Sequence, residues 1–318
     1  MGGVKKVLLA APRGYCAGVD RAVQIVERAL DTCEPPVYVR KEIVHNRHVV
    51  TELEKRGAVF VDSEDEIPEG SVCVFSAHGV SPAVRERAAA RNLRVIDATC
   101  PLVTKVHLEA KRFDRSGRKI ILVGHQGHEE IEGTSGEAPE NTLVIESAED
   151  IDAMGVAPDE PIAYLTQTTL SVDDTLNVVE ALRERFTNIE GPHRDDICYA
   201  TQNRQVAVKA ISPESDVVLI VGALNSSNSN RMVEVARSMG TDAYLVPDET
   251  YLDPKWLEGA DVVGVSSGAS APEVLVDRLL KRLAELGYEQ VETHEVTTED
   301  VTFSLPSWLR DQVEREAG

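Results

Sequence analysis

Apolar and polar positions along this chain follow two rhythms. Short runs of mostly branched apolar residues, at 4–11, 37–40, 72–76, 119–123, 162–166, 216–221 and 261–266, read as buried strands. Between them lie longer stretches with apolar residues three and four apart. In the first of these, Val19, Ala22, Val23, Val26, Ala29 and Leu30 share one helical face. Strands alternating with helices from end to end predict an α/β fold with mainly parallel sheets. Five strands run into loops of small or polar residues, at 76–79, 124–128, 166–169, 222–229 and 266–270. Ligands of open α/β sheets bind beyond the carboxyl ends of the strands, so these loops are the expected site.

Three of the five cysteines mark helix starts. Cys16 opens the run 17–30, Cys100 the run 101–113 and Cys198 the run 199–211. A thiol at a helix N-terminus is pushed toward thiolate, the form that binds metal. The three lie 84 residues (16 to 100) and 98 residues (100 to 198) apart, too far for one local loop, and no C-x-x-C pair offers a structural zinc site. Three thiols suit a four-iron cluster with one iron left open for substrate. Most lone cysteines are packing residues, and that reading fits Cys33, beside Pro35-Pro36, and Cys73, inside an apolar run.

Length and charge narrow the setting. The 318 residues suffice for two or three lobes. We place them at 1–99 with Cys16, 100–195 with Cys100 and 196–291 with Cys198, leaving 292–318 as a C-terminal strap with a final charged helix. A net charge of −21 argues against nucleic acid and anionic membranes as partners. The acidic clusters at 62–69 and 146–152 read as solvated loops and helix starts. No 18-residue apolar run or signal peptide is evident, and five cysteines make no disulfide framework, which points to a reducing cytoplasm. With no G-x-G-x-x-G or Walker sequence, a nucleotide cofactor is disfavoured.

His45 precedes a helix, and the strand-end loops carry His78, His125 and His128, with Gly79 and Gly127 beside them to admit an anion to the backbone. Ser226, Ser227, Asn228 and Ser229 open one helix and Ser270 another, as anion donors or as ordinary N-caps. Together these donors suit a phosphate-bearing substrate. Glu129, Glu130 and Glu132 follow His128 as proton donors or as plain first-turn helix charge.

Longer motifs sharpen this picture. Ala11-Pro12-Arg13-Gly14-Tyr15-Cys16-Ala17-Gly18, Val44-His45-Asn46-Arg47, Ser76-Ala77-His78-Gly79, Asp97-Ala98-Thr99-Cys100-Pro101, Thr166-Gln167-Thr168-Thr169, Asp196-Ile197-Cys198-Tyr199-Ala200-Thr201, Asn225-Ser226-Ser227-Asn228-Ser229 and Gly268-Ala269-Ser270-Ala271-Pro272 occur in this order. In these motifs the chain closely resembles the 4-hydroxy-3-methylbut-2-enyl diphosphate reductases of the methylerythritol phosphate route to isoprenoids, from about residue 5 to residue 303.

The resemblance implies three α/β lobes in a pseudo-threefold trefoil around one [4Fe–4S] cluster per chain, held by Cys16, Cys100 and Cys198 with one iron open. It gives the substrate diphosphate to His45, His78, His128, Ser226, Ser227, Asn228 and Ser270, the substrate hydroxyl to Thr168 and proton delivery to Glu130. It also implies a ferredoxin or flavodoxin as electron donor. His128-Glu129-Glu130 departs from the commoner His-Pro-Glu, which bears on loop stiffness. An iron–sulfur dehydratase or condensing enzyme such as quinolinate synthase is a second reading, but it would favour arginines aimed at carboxylates. A non-catalytic iron–sulfur sensor is a third, and it would need a basic or helical effector surface that the sequence does not suggest.

Overall fold

The structure, a computed structural model, describes residues 5–306 and Leu309. The final charged helix expected in the tail lies outside these residues. The chain first builds β1 (Lys6–Ala11), α1 (Ala17–Thr32), β2 (Val37–Arg40), α2 (Arg47–Lys55), β3 (Ala58–Val61), β4 (Val72–Phe75), α3 (Pro82–Ala90) and β5 (Arg94–Asp97). It continues through α4 (Pro101–Arg115), β6 (Lys119–Val123), α5 (Glu129–Ser135), β7 (Thr142–Ile145), β8 (Ile162–Thr166), α6 (Val172–Arg185) and β9 (Ile189–Glu190). The last third supplies α7 (Tyr199–Ile211), β10 (Val217–Val221), α8 (Ser227–Ser238), β11 (Asp242–Val246), β12 (Val262–Ser267), α9 (Glu273–Glu285) and β13 (Gln290–Glu295).

These strands form three α/β lobes, each with a wholly parallel sheet: β11-β10-β12-β1-β13, β3-β2-β4-β5 and β7-β6-β8-β9. The chain divides into two compact units. One comprises the residues up to Cys16, His45–Arg47 and Cys198–Val301, and the other Ala17–Val44, His48–Ile197 and the residues from Thr302 onward.

The five-stranded sheet belongs to the first unit. Its inner strand β10, Val-Val-Leu-Ile-Val, is buried at every position, as expected of a parallel strand covered on both faces. Leu219 of this strand joins a core built from distant parts of the chain: Val263, Val265, Leu275, Leu279 and Leu283 pack together there with Val7 and Leu9. β1 therefore pairs with β12 and β13 rather than with the strands that follow it in residues 1–99. Residues 292–295, expected to begin a strap, complete β13 and pair in register with β1 from Leu8 to Ala11. A parallel partner needs only a crossover, so sequence distance did not mark the pairing.

The second unit holds the two four-stranded sheets. On α1 the buried face is Gly18, Ala22, Ile25, Val26 and Ala29, rotated from the expected one, with Val19, Val23 and Leu30 only half-buried. Small residues at 18, 22 and 29 favour close packing there. Glu64, expected in a solvated acidic loop, is fully buried. Burial alone would raise its carboxyl, but Arg40 Nε and Arg87 Nε donate to its two oxygens at 2.7 and 2.5 Å and hold it below the ordinary range.

Candidate functional site

In the second unit, polar groups gather beyond the carboxyl ends of β4, β6 and β8. His78 follows β4, next to Gly79 in a left-handed turn at φ +80°. The His78 Nδ1 lies 3.1 Å from Glu129 Oε2, to which Ser76 Oγ donates at 3.3 Å. The rings of His78 and His128 meet edge to face, their centroids 5.8 Å apart. His128 is the N-cap of α5, and its Nδ1 accepts from Glu130 N at 3.1 Å. In a neutral ring this leaves the proton on Nε2, as a donor.

The three glutamates after β6 part company. Glu129 is half-buried against His78, Glu132 is exposed, and Glu130 is 2% exposed. Thr168 N donates to Glu130 Oε1 at 2.6 Å and Thr168 Oγ1 to Oε2 at 2.9 Å, so both Glu130 oxygens are engaged by one residue after β8. Burial pushes the Glu130 carboxyl up to about 7, although the Thr168 bonds and the nearby His107 oppose the rise. A carboxyl poised there can hold and release a proton near neutral pH. Asp196 braces the same strand end, its Oδ2 accepting from Thr166 N and its Oδ1 pairing with Lys105 Nζ, both at 3.0 Å. Gly124 leaves room for Ile131 at the end of β6, where a Cβ would sit 2.3 Å from Ile131 Cδ1.

Cys100 belongs to the same unit as the N-cap of α4, and its N–H donates to Ala77 O, in the loop of His78, at 3.0 Å. Cys73 lies wholly buried in β4, where burial pushes its thiol up to about 12 and keeps it neutral. Cys33 is half-buried beside Thr32.

In the first unit the loops after β1, β10 and β12 come together. Ser226 caps α8, its Oγ accepting from Ser229 N at 3.4 Å and from Ser229 Oγ at 3.0 Å. Asn228 Oδ1 accepts from Ala269 N at 2.8 Å, while its Nδ2 is buried without a protein partner and remains a donor for a ligand. Ser227 is half-buried at the first position of α8. Ser270 does not start a helix as expected. Pro272 caps α9, and Ser270 Oγ instead donates to His45 O at 2.9 Å. Asn225 Nδ2 lies 3.4 Å from His45 Nδ1, so the loops after β10 and β12 both meet the His45 turn. A Cβ on Gly222 or Gly268 would fall 2.2 or 2.1 Å from Ser229 Oγ, so both glycines let the loops close.

Cys16 N donates to Ala269 O at 3.2 Å, and Gly14 N to Ser267 Oγ at 2.8 Å. Cys198 caps α7, its Sγ accepting from Thr201 N at 3.4 Å. Cys16, Cys100 and Cys198 are each a half-buried thiol at a helix start, the kind of group that can ligate iron, whereas Cys73 is wholly buried within a strand. Asp196 and Ser267 carry no signal of their site contacts in the local sequence. Their types are ordinary, and only chain-distant partners reveal them.

Comparisons with known proteins bear on the family and the fold. The family model described as LytB protein matches residues 7–284. A 4-hydroxy-3-methylbut-2-enyl diphosphate reductase of Rhodococcus jostii is 59% identical over 309 residues, covering 97% of this chain and 92% of that protein. One of the same name from Nocardia farcinica is 59% identical over 307 residues, covering 96% and 91%. Among solved structures, the E-1-hydroxy-2-methyl-but-2-enyl-4-diphosphate reductase of Plasmodium falciparum superposes with a TM-score of 0.95 at 36% identity over 99% of both chains. On the strength of these matches, this chain belongs to the LytB protein family.

Proposed function

We propose that this protein is a 4-hydroxy-3-methylbut-2-enyl diphosphate reductase, an oxidoreductase that removes the allylic hydroxyl of its substrate. The observation that carries the reading is 59% identity to a reductase of that name across 97% of the chain. In the reaction the allylic C–O bond breaks and a C–H bond forms. Two electrons and two protons are consumed and water leaves. Protonation at either of two carbons gives isopentenyl or dimethylallyl diphosphate.

One [4Fe–4S] cluster, held by Cys16, Cys100 and Cys198, would supply the two electrons singly, and a ferredoxin or flavodoxin would deliver them. Glu130 supplies protons, since it is buried, held by Thr168 and poised at about 7. Thr168, whose hydroxyl already donates to Glu130, is the group to meet the substrate hydroxyl. Diphosphate-binding roles fall to His45, His78, His128, Ser226, Ser227, Asn228 and Ser270. Asn228 Nδ2 supports this, because a buried N–H with no protein acceptor is costly until an anion takes it. The strand-end donors are imidazole, hydroxyl and amide groups, which suit a diphosphate.

Anaerobic purification followed by a single assay tests the reading. Wild-type protein with a chemical reductant should convert the substrate to the two five-carbon diphosphates. Cys100→Ser should lack iron and sulfide, whereas Cys33→Ser should keep both. No conversion by iron-replete protein would refute the activity, and wild-type iron in Cys100→Ser would refute the ligand set.

A further inference from the structure

Arg204 is the largest fully buried side chain of the described residues, and the proposed chemistry gives it no role. It projects from α7 six residues after Cys198. Its Nε and Nη2 donate to Gly14 O at 3.2 and 2.6 Å, and its Nη1 donates to Ala200 O at 2.9 Å. Glu299 closes the other side, Oε1 accepting from Nη1 at 3.0 Å and Oε2 from Nη2 at 3.4 Å. Asn203 Nδ2 also donates to Glu299 Oε1 at 3.0 Å. Gly14 lies two residues before Cys16 and Ala200 two residues after Cys198, so one guanidinium joins the backbones that carry both thiols.

We propose that the Arg204–Glu299 pair is a clamp that fixes Cys16 and Cys198 relative to each other as iron-binding thiols, with Arg204 the positioning residue. The inference rests on the reading of those two cysteines as ligands. Gly14 sits at φ +70° in a loop also held by Ser267 Oγ, by Ala269 O on Cys16 N and by the Arg13–Glu273 ion pair to α9. None of those contacts reaches α7, whereas the guanidinium does. A planar fork can serve two carbonyls and a carboxylate at once; a lysine ammonium at that site cannot span the same acceptors. Glu299 supplies the charge that allows a cation to be fully buried, and it comes from the segment after β13. The segment after β13 thereby bears on how two thiols far from it in sequence are held.

The test uses full-length protein purified without oxygen. Arg204→Lys and Glu299→Gln should load iron less completely and release it to a chelator about 10–100-fold faster than wild type, the usual penalty for disturbing groups behind a metal ligand. Val263→Ala, a core change in the same unit, should lower the melting temperature yet leave the release rate at the wild-type value. If Arg204→Lys does not fold, Glu299→Gln alone carries the test. Wild-type release from Glu299→Gln and any folded Arg204→Lys would overturn the clamp while leaving the ligand reading intact. Accelerated release in Val263→Ala equal to that of the clamp variants would overturn it as well, since general loosening would then suffice. Undiminished iron in Cys16→Ser and Cys198→Ser would overturn the ligand reading and the clamp with it.

Discussion

Replacing Glu130 by Gln should stabilise the protein while stopping turnover, because the carboxyl is costly to bury once charged. Its folded value of about 7 lies above the ordinary 4.5, so the native state binds the proton more tightly than the unfolded chain does. The stability contributed by the protonated form is complete below about 4.5 and is lost as pH rises through about 7. At 1.36 kcal/mol per pH decade, the full cost above pH 8 is about 3 kcal/mol, of which about 2 kcal/mol is already present at pH 6. Gln escapes this cost and keeps the geometry, its amide oxygen accepting from Thr168 N and its amide NH₂ donating to a turned Thr168 hydroxyl. Guanidinium unfolding followed by circular dichroism between pH 6 and 8.5 should show the Glu130→Gln advantage growing by about 1 kcal/mol. Exposed Glu132→Gln should show no such growth. Turnover of Glu130→Gln should fall by at least about a hundredfold with iron content intact, and wild-type turnover should decline above pH 7 as the acid form is lost. A pH-independent gap would mean that Glu130 is not buried as a poised acid. Normal turnover would remove it from proton delivery.

Ser226→Ala and Asn228→Ala should weaken substrate binding, each lost bond to a charged group costing about 1.5–3 kcal/mol in titrations of iron-replete protein. Ser226→Ala should in addition lower stability by about 1 kcal/mol, since its hydroxyl also caps α8. Gly79→Ala should cost more than Gly70→Ala by thermal melting. Both residues have positive φ, but only at Gly79 would the new Cβ meet His107 Nε2 at 3.0 Å and Thr99 Cγ2 at 3.2 Å. Glu64→Ala should destabilise the protein by about 3 kcal/mol or more in chemical unfolding, because it strands Arg40, whereas exposed Glu66→Ala should cost far less.

The rhythm of apolar residues was enough to place most strands and helices, because a strand covered on both faces must be apolar throughout and a helix covered on one face must repeat every three to four residues. It also put Cys16, Cys100 and Cys198 at helix starts and put the polar donors at strand ends, since both are local facts of chain order. Pairing between distant segments left no such mark. β13 is exposed along most of its length and carries no apolar stripe, yet it pairs with β1 at the other end of the chain. Burial of a single charge is equally non-local. Glu129, Glu130 and Glu132 look alike in sequence, and what separates them is which one Thr168 meets. Glu64 is buried because Arg40 and Arg87 converge on it, and Arg204 because Gly14 and Glu299 do. Periodicity reports that a face is covered; only packing decides what covers it, and for an ionisable group the covering partner sets its charge and therefore its chemistry.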